Sequence, residues 1–393
     1  MKQTPAYDVA VIGAGPSGSR TAEELAASGH RVVLLERDPE PGLPVHCTGI
    51  VSTECFDRYH LPSSLILRSV SSFILRSPSG RGAPVKRNAT QAHVLDRIAL
   101  DRLLAQRAVD AGAELITSAN VTAIDWDGQS VRVHGEIASR EKVLDARVAV
   151  LATGHGSRLQ RHVGLSTRGE VVSGCQAVVE APDVDEVEVF TGGIMGFGGY
   201  GWLVPWKPGL ALAGLLTRRD TMTHLQAHIA KLQETGRIGA VRELFRLRAL
   251  PLGVPKRSVV DGVLGVGDAV SQVKPTSGGG IYYGLLGAEA AAQTLTEALA
   301  ADDVSAAGLA AYDERWQAML GPEIRQGYAL RRLLEQIPEP VVEQFHRLLS
   351  VPGLRRILTT PTFDWHSRPL TSVLNRMTGR SSRQLQTRSR RYV

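Results

Sequence analysis

The stretch YDVAVIGAGPSG, residues 7–18, constrains the fold more than any other part of the chain. A run of strand formers turns through Gly13, Gly15 and Gly18, continues as a helix-compatible segment, and returns as the apolar strand Arg31–Leu35. This is one βαβ unit, and each glycine has a task in it. Gly13 makes the tight turn, Gly15 lets a pyrophosphate approach the backbone, and Gly18 lets helix and strand pack closely. The amino end of the helix then faces the phosphate charge. Glu36, at the end of the second strand, is placed to accept hydrogen bonds from adenosine ribose hydroxyls, which disfavours a 2′-phosphate there. The bound nucleotide is FAD or NAD.

A second stretch, GDAVSQVKPTSGGGIYYGLLGA at residues 267–288, points to FAD. Asp268 follows the apolar strand Gly262–Val266 and can meet a ribityl or pyrophosphate hydroxyl. Gly278, Gly279 and Gly280 open a helix whose amino end suits an anionic flavin ring edge. The triplet is expected to make room for the isoalloxazine ring. Between the two stretches, DRIALDRLLAQRAVDAGAELITSANVTAI reads as a helix and a strand, and ARVAVLATGHGSRLQRHVGL as a buried strand leaving through glycines. No second GxGxxG fit for NAD(P)H appears, so the electron donor either docks briefly or is a protein or a deazaflavin.

Taken together, GAGPSG with Glu36, VHCTGI, DRIALDRLL, VLATGHGSRLQRHVGL, YGWLVP and KPTSGGGIYYGLL resemble the geranylgeranyl reductase family of FAD-dependent flavoproteins, within the para-hydroxybenzoate hydroxylase superfold, over residues 7–300. The resemblance implies noncovalent FAD and reduction of isolated C=C bonds in isoprenoid chains, on free diphosphates, lipids, chlorophyll precursors or quinone tails. NADPH, ferredoxin or a deazaflavin would be the donor. It places FAD against Ser17, Glu36, Cys47, Thr48, Ile50, Arg97, Val121, Asp268, Gly280 and Ile281, with Gly279 in the same triplet. Arg97 can donate to a hydroxyl or phosphate, and Val121 can offer only backbone groups. The family also has a cysteine near the flavin where Cys47 stands. A thiol there can assist protonation, which an unactivated alkene needs once hydride has reached one carbon; packing as a small apolar side chain is the alternative. Tyr200 and Trp202, two apart, face the same side of a strand and would line an apolar tunnel. The family carries an aromatic where Val204 stands and often a proline where Phe197 stands, so substrate length or headgroup is where this chain departs.

The expected architecture is α/β. A Rossmann-type FAD-binding domain at 1–165 and 251–300 carries a hairpin near 66–95 that belongs to the substrate domain. A mainly antiparallel β-sheet substrate domain at 166–250 is inserted, and a helical region at 301–375 and a basic tail at 376–393 follow. Cys47, Cys55 and Cys175 form no CxxC and have no His cluster at ligand spacing, so neither a disulfide framework nor a metal site is expected. Cys55 and Cys175 are taken as packing residues. No apolar stretch reaches the ~20 residues of a spanning helix, and no secretory signal is visible; a cytoplasmic protein is expected.

The net charge of +6 is concentrated in the last segment, where residues 347–393 carry ten arginines against Asp364 alone. These suit peripheral contact with an anionic membrane surface, or a solvated tail. Nucleic acid is not expected, because no stacking aromatics accompany them. Two other classes remain compatible with the motifs: a flavin-dependent aromatic monooxygenase, and a non-redox isoprenoid cyclase or isomerase.

Overall fold

Strand Tyr7–Ile12 lies at the centre of an eight-stranded sheet, flanked by Arg140–Leu151 and Val32–Leu35, both parallel to it. Val263–Gly265 and Glu114–Ile116 extend the parallel arrangement on either side. Alternate residues of a strand point to opposite faces. Val9 and Val11 join Val148 and Val150 in one core, under helices Pro16–Ala27, Arg97–Asp110 and Ile281–Ala300. Ala10 and Ile12 join Val33, Leu35 and Leu151 in another, covered by the antiparallel strands Ala119–Trp126 and Val131–Ile137. Burial on both faces is why the central strands read as continuous apolar runs. The protein is a computed structural model that describes residues 5–165, 170–196, 198–349 and 363–365. Phe197 and the basic tail at 376–393 lie outside the described residues.

A second eight-stranded sheet runs Val241–Leu244, Glu170–Glu180, Leu210–Thr217, Tyr200–Pro205, Val187–Phe190, Ser72–Arg76 and Gly82–Lys86, with Arg248–Leu252 also paired to Glu170–Glu180. All its pairs are antiparallel except Val187–Phe190 beside Ser72–Arg76. That parallel pair is how the early hairpin joins a sheet built a hundred residues later. Arg248–Leu252 crosses residue 250, so the chain returns to the first sheet only after completing a strand of the second. Three short strands, Ile50–Ser52, Ala92–Leu95 and Ile66–Val70, form a third sheet. Helices Ala311–Glu335 and Glu339–Leu348 follow, the first burying Tyr312, Trp316, Leu320 and Ile324 in the first core. Among the described residues no helix is long and apolar enough to cross a membrane.

The glycines of the first turn divide as their tasks require. A Cβ on Gly18 would lie 1.9 Å from the Gly13 carbonyl oxygen and 2.8 Å from Ala152 Cβ, whereas one on Gly15 would meet nothing within 4 Å. Gly13 has φ +107°, which side chains rarely adopt. Gly18→Ala is therefore expected to lower unfolding stability in urea by about 1–3 kcal/mol. Gly15→Ala should leave the urea midpoint of the flavin-free protein nearly unchanged while releasing FAD on gel filtration.

Candidate active site

One cavity of about 2340 Å³ opens where the first turn, the 267–281 loop and the second sheet meet. Small-ligand pockets usually hold about 300–1,000 Å³, so this one has room for a dinucleotide and a second long ligand. Its wall contains Gly13, Gly15, Ser17, Glu36, Cys47, Thr48, Ile50, Arg97, Val121, Tyr200, Trp202, Asp268, Gly279, Gly280 and Ile281. Gly18 stands behind the wall, in the packing role just described.

At one end the wall is a dinucleotide cradle. Helix Pro16–Ala27 has no side-chain cap, leaving its first amides free for a phosphate. Glu36 accepts the Ala14 N–H at Oε2, 2.8 Å, and the Asp38 N–H at Oε1, 2.9 Å. Those bonds fix the carboxylate at the strand end and leave lone pairs for ribose hydroxyls. Arg97 Nη2 pairs with both oxygens of Asp101 at 2.7 Å, while its Nη1 is buried with no partner. A buried, unpaired donor costs about 1–3 kcal/mol, and FAD supplies oxygens to meet it. These residues fit FAD: the uncapped helix and Gly15 would hold the pyrophosphate, Glu36 the ribose, and Arg97 and Asp268 the polar chain between the rings.

The glycine triplet serves the loop before it serves a ligand. A Cβ on Gly280 would lie 2.6 Å from Asp268 Oδ1 and one on Gly279 would lie 2.8 Å from Lys274 Cε, while Gly278 has φ +70°. The glycines thus admit neighbouring side chains, and in doing so bring the backbone edge of 278–281 onto the cavity. Lys274 is almost fully buried and pairs with Asp364 Oδ1 at 2.7 Å, its ammonium 4.6 Å from the Phe363 ring. Sequence reasoning passed over Lys274, although the Lys-Pro pair ahead of the glycines marked it.

The two aromatic residues are tied to the 267–281 loop and to the loop that carries Thr48. Tyr200 Oη donates to the Ser277 carbonyl at 2.5 Å, and its ring lies 5.7 Å from that of Trp202. Burial pushes the phenol up to about 12. Trp202 Nε1 donates to Gln176 Oε1 at 3.3 Å, and Thr48 Oγ1 donates to the same oxygen at 2.8 Å. Gln176, Gly214 and Trp202 stand opposite one another across three strands, and the missing Cβ of Gly214 is where the indole lies. Gln176 was missed in the sequence; a lone amide in an otherwise apolar strand was its only signal. Cys47 is exposed to the cavity, its Sγ accepting the Gly49 N–H at 3.4 Å, whereas Cys55 and Cys175 are buried in packing. Elsewhere the wall is mainly apolar, with Phe73, Val187, Val189 and Leu216 from the second sheet and Val341 and Phe345 from helix Glu339–Leu348, although Arg87, Gln91, Glu339 and His346 also line it.

Two large sheets with a dinucleotide cradle opening onto a mainly apolar chamber are the arrangement of an FAD-dependent oxidoreductase. Residues 7–196 match the family described as pyridine nucleotide-disulphide oxidoreductase. The chain is 30% identical to digeranylgeranylglycerophospholipid reductase 2 of Methanothermobacter thermautotrophicus, over 89% of this chain and 94% of that one. It is 32% identical to digeranylgeranylglycerophospholipid reductase 2 of Methanopyrus kandleri, over 83% and 85%. Among solved structures, a geranylgeranyl bacteriochlorophyll reductase-like protein from Thermoplasma acidophilum superposes with TM-score 0.82 at 21% identity, over 93% of this chain and 98% of that one. The OxyS anhydrotetracycline hydroxylase of Streptomyces rimosus shares the fold at TM-score 0.64 and 22% identity, over 90% and 74%. The chain belongs to the geranylgeranyl reductase family of FAD-dependent flavoproteins.

Asp268 carries a pH signature. Burial, against the pull of Arg97 and Arg248, raises its carboxyl from 3.8 to about 6. The folded, flavin-free chain therefore binds this proton more tightly than the unfolded chain, and the group's contribution to stability falls as pH rises from 3.8 through 6. Asp268→Asn should raise the melting temperature of flavin-free protein above pH 6, with the gain vanishing toward pH 3.8. The same substitution should weaken FAD retention, because an acceptor for a cofactor hydroxyl is lost.

Proposed function

We propose that the protein reduces C=C double bonds in the geranylgeranyl or polyprenyl chain of a lipid, quinone or pigment precursor. The observation that carries this reading is the continuity of the cavity from the dinucleotide cradle into an apolar chamber, in a chain related to digeranylgeranylglycerophospholipid reductases. An isolated alkene offers no polar handle, so a long apolar enclosure is how a protein can place it. The discontinuous FAD-binding domain and the inserted substrate domain, the latter extended to Leu252 by its last strand, then meet at the reacting end.

Saturating the bond requires a hydride on one carbon and a proton on the other. FAD, when bound and reduced, supplies the hydride equivalent. The chain supplies the rest: the chamber excludes water and Trp202 and Tyr200 form the wall beside the loops. The Cys47 thiol, at the cavity surface, is the proton source we assign. Tyr200 spends its one proton on Ser277 and stays neutral, so its role is to hold the 267–281 loop against the sheet.

A position at a bilayer surface follows from a lipid substrate. Leu334, Val341 and Phe345 line the cavity and are also exposed, so an apolar rim is continuous with the chamber. The ten arginines at 347–393 would add about 1 kcal/mol each near anionic lipid.

The reading is tested anaerobically, with the flavin reduced by dithionite and geranylgeranyl diphosphate or a prenylated quinone added. Reoxidation of the flavin with a product heavier by two hydrogens per event is expected. Flavin that stays reduced until oxygen enters, followed by hydroxylation of an aromatic, would overturn it. Trp202→Ala should lower kcat/KM for the prenyl substrate about ten- to a hundredfold through lost apolar burial, with the flavin retained.

A further inference from the structure

Beside Cys47 the cavity rim carries hydrogen-bond donors that neither the cofactor reading nor the apolar chamber uses. Arg248 Nη2 contacts His46 Nε2. A guanidinium has donors and no acceptor, so Nε2 must be the bare nitrogen and the imidazole proton must sit on Nδ1. That Nδ1 is buried with no partner. Burial, and then the positive fields of Arg248 and Arg246, hold His46 down to about 4, so the ring is neutral near pH 7. Arg37 adds a third guanidinium field on His46, and Asp38 the one opposing charge.

Of the three arginines, Arg37 alone has an ion-pair partner among the described residues. Arg37 pairs only with its neighbour Asp38, at 3.1 Å. Among the described residues Arg246 and Arg248 form no ion pair, and the acids whose fields reach Arg248, Asp38 and Asp268, do not contact it. A guanidinium that lines the cavity without an ion-pair partner keeps N–H donors to offer an anion. Arg37, His46 and Arg248 line the same cavity as Cys47, whereas the FAD pyrophosphate is provided for at the uncapped helix by Gly15.

We propose that Arg37, Arg248 and the His46 Nδ1–H, which line one stretch of the cavity, form an anion site that takes a phosphate ester at the rim of the flavin cavity. Guanidinium forks match phosphate oxygens bidentately, and a neutral imidazole N–H completes a set made only of donors. Two ligands present this chemistry beside a flavin: a pyridine dinucleotide that delivers electrons, and the phosphate headgroup of a prenyl substrate. The second rests on the function proposed above; the first does not.

The test uses flavin-loaded protein, with inorganic pyrophosphate as the probe, titrated by calorimetry into wild type, Arg248→Gln and the Arg37→Gln/Arg248→Gln pair. Wild type should bind, and each lost arginine should weaken binding about tenfold or more. A nucleotide source predicts that the Kd for NADPH in anaerobic flavin reduction rises about tenfold while dithionite reduces all variants alike. A headgroup source predicts that, with dithionite-reduced protein, KM for geranylgeranyl diphosphate rises about tenfold while that for geranylgeraniol is unchanged. Equal pyrophosphate affinity in wild type and the double variant overturns the site. Variants that shed FAD also overturn it, assigning the cluster to the cofactor. Arginine-dependent pyrophosphate binding in a protein that saturates no prenyl chain would keep the anion site and remove only the proposed function.

Discussion

The site depends on one close approach, between Ser17 at the start of the first helix and the backbone of the 267–284 region. A Cβ on Gly267 would lie 2.5 Å from Ser17 Oγ, and one on Gly284 would lie 2.2 Å from it. Glycine at both positions leaves room for the Ser17 hydroxyl between helices Pro16–Ala27 and Ile281–Ala300, and Gly267 also has φ +64°. Gln272, fully buried, locks the same junction by accepting the Gly267 N–H at 2.7 Å and donating to Tyr312 Oη at 2.9 Å. Two motifs some 250 residues apart thereby become the two walls of one cradle.

The second sheet is fastened to this cradle by polar bonds and left apolar elsewhere. Tyr200 reaches the Ser277 carbonyl, and Trp202 reaches Thr48 through the shared oxygen of Gln176. Arg331 adds a third fastening, donating to the Pro275 carbonyl at 3.2 Å and to the Gly198 carbonyl at 2.5 Å. Polar groups are thus concentrated at the seam, and the remaining wall is mainly apolar, as a hydrocarbon chain requires. Among the buried donors left unpaired, Arg97 Nη1, His46 Nδ1 and Gln176 Nε2 belong to residues that line the cavity, where oxygens of a bound ligand can meet them.

The sequence by itself determined the βαβ unit, the tasks of Gly13, Gly15 and Gly18, the strand carrying Tyr200 and Trp202, and the helix after Gly280. These follow from local physics: alternation along strands, backbone space at glycines, and apolar runs bounded by turns. What only the tertiary structure decided is who meets whom. Residue 176 faces Trp202 because strand register brings both to Gly214, and Arg248 meets His46 across 202 positions. Lys274 finds its carboxylate in Asp364, and the glycine triplet proves to admit Asp268 and Lys274. None of these partners is signalled by spacing, because a side-chain contact between distant segments is fixed by packing of the whole sheet, and a sequence pattern records only which face a residue takes.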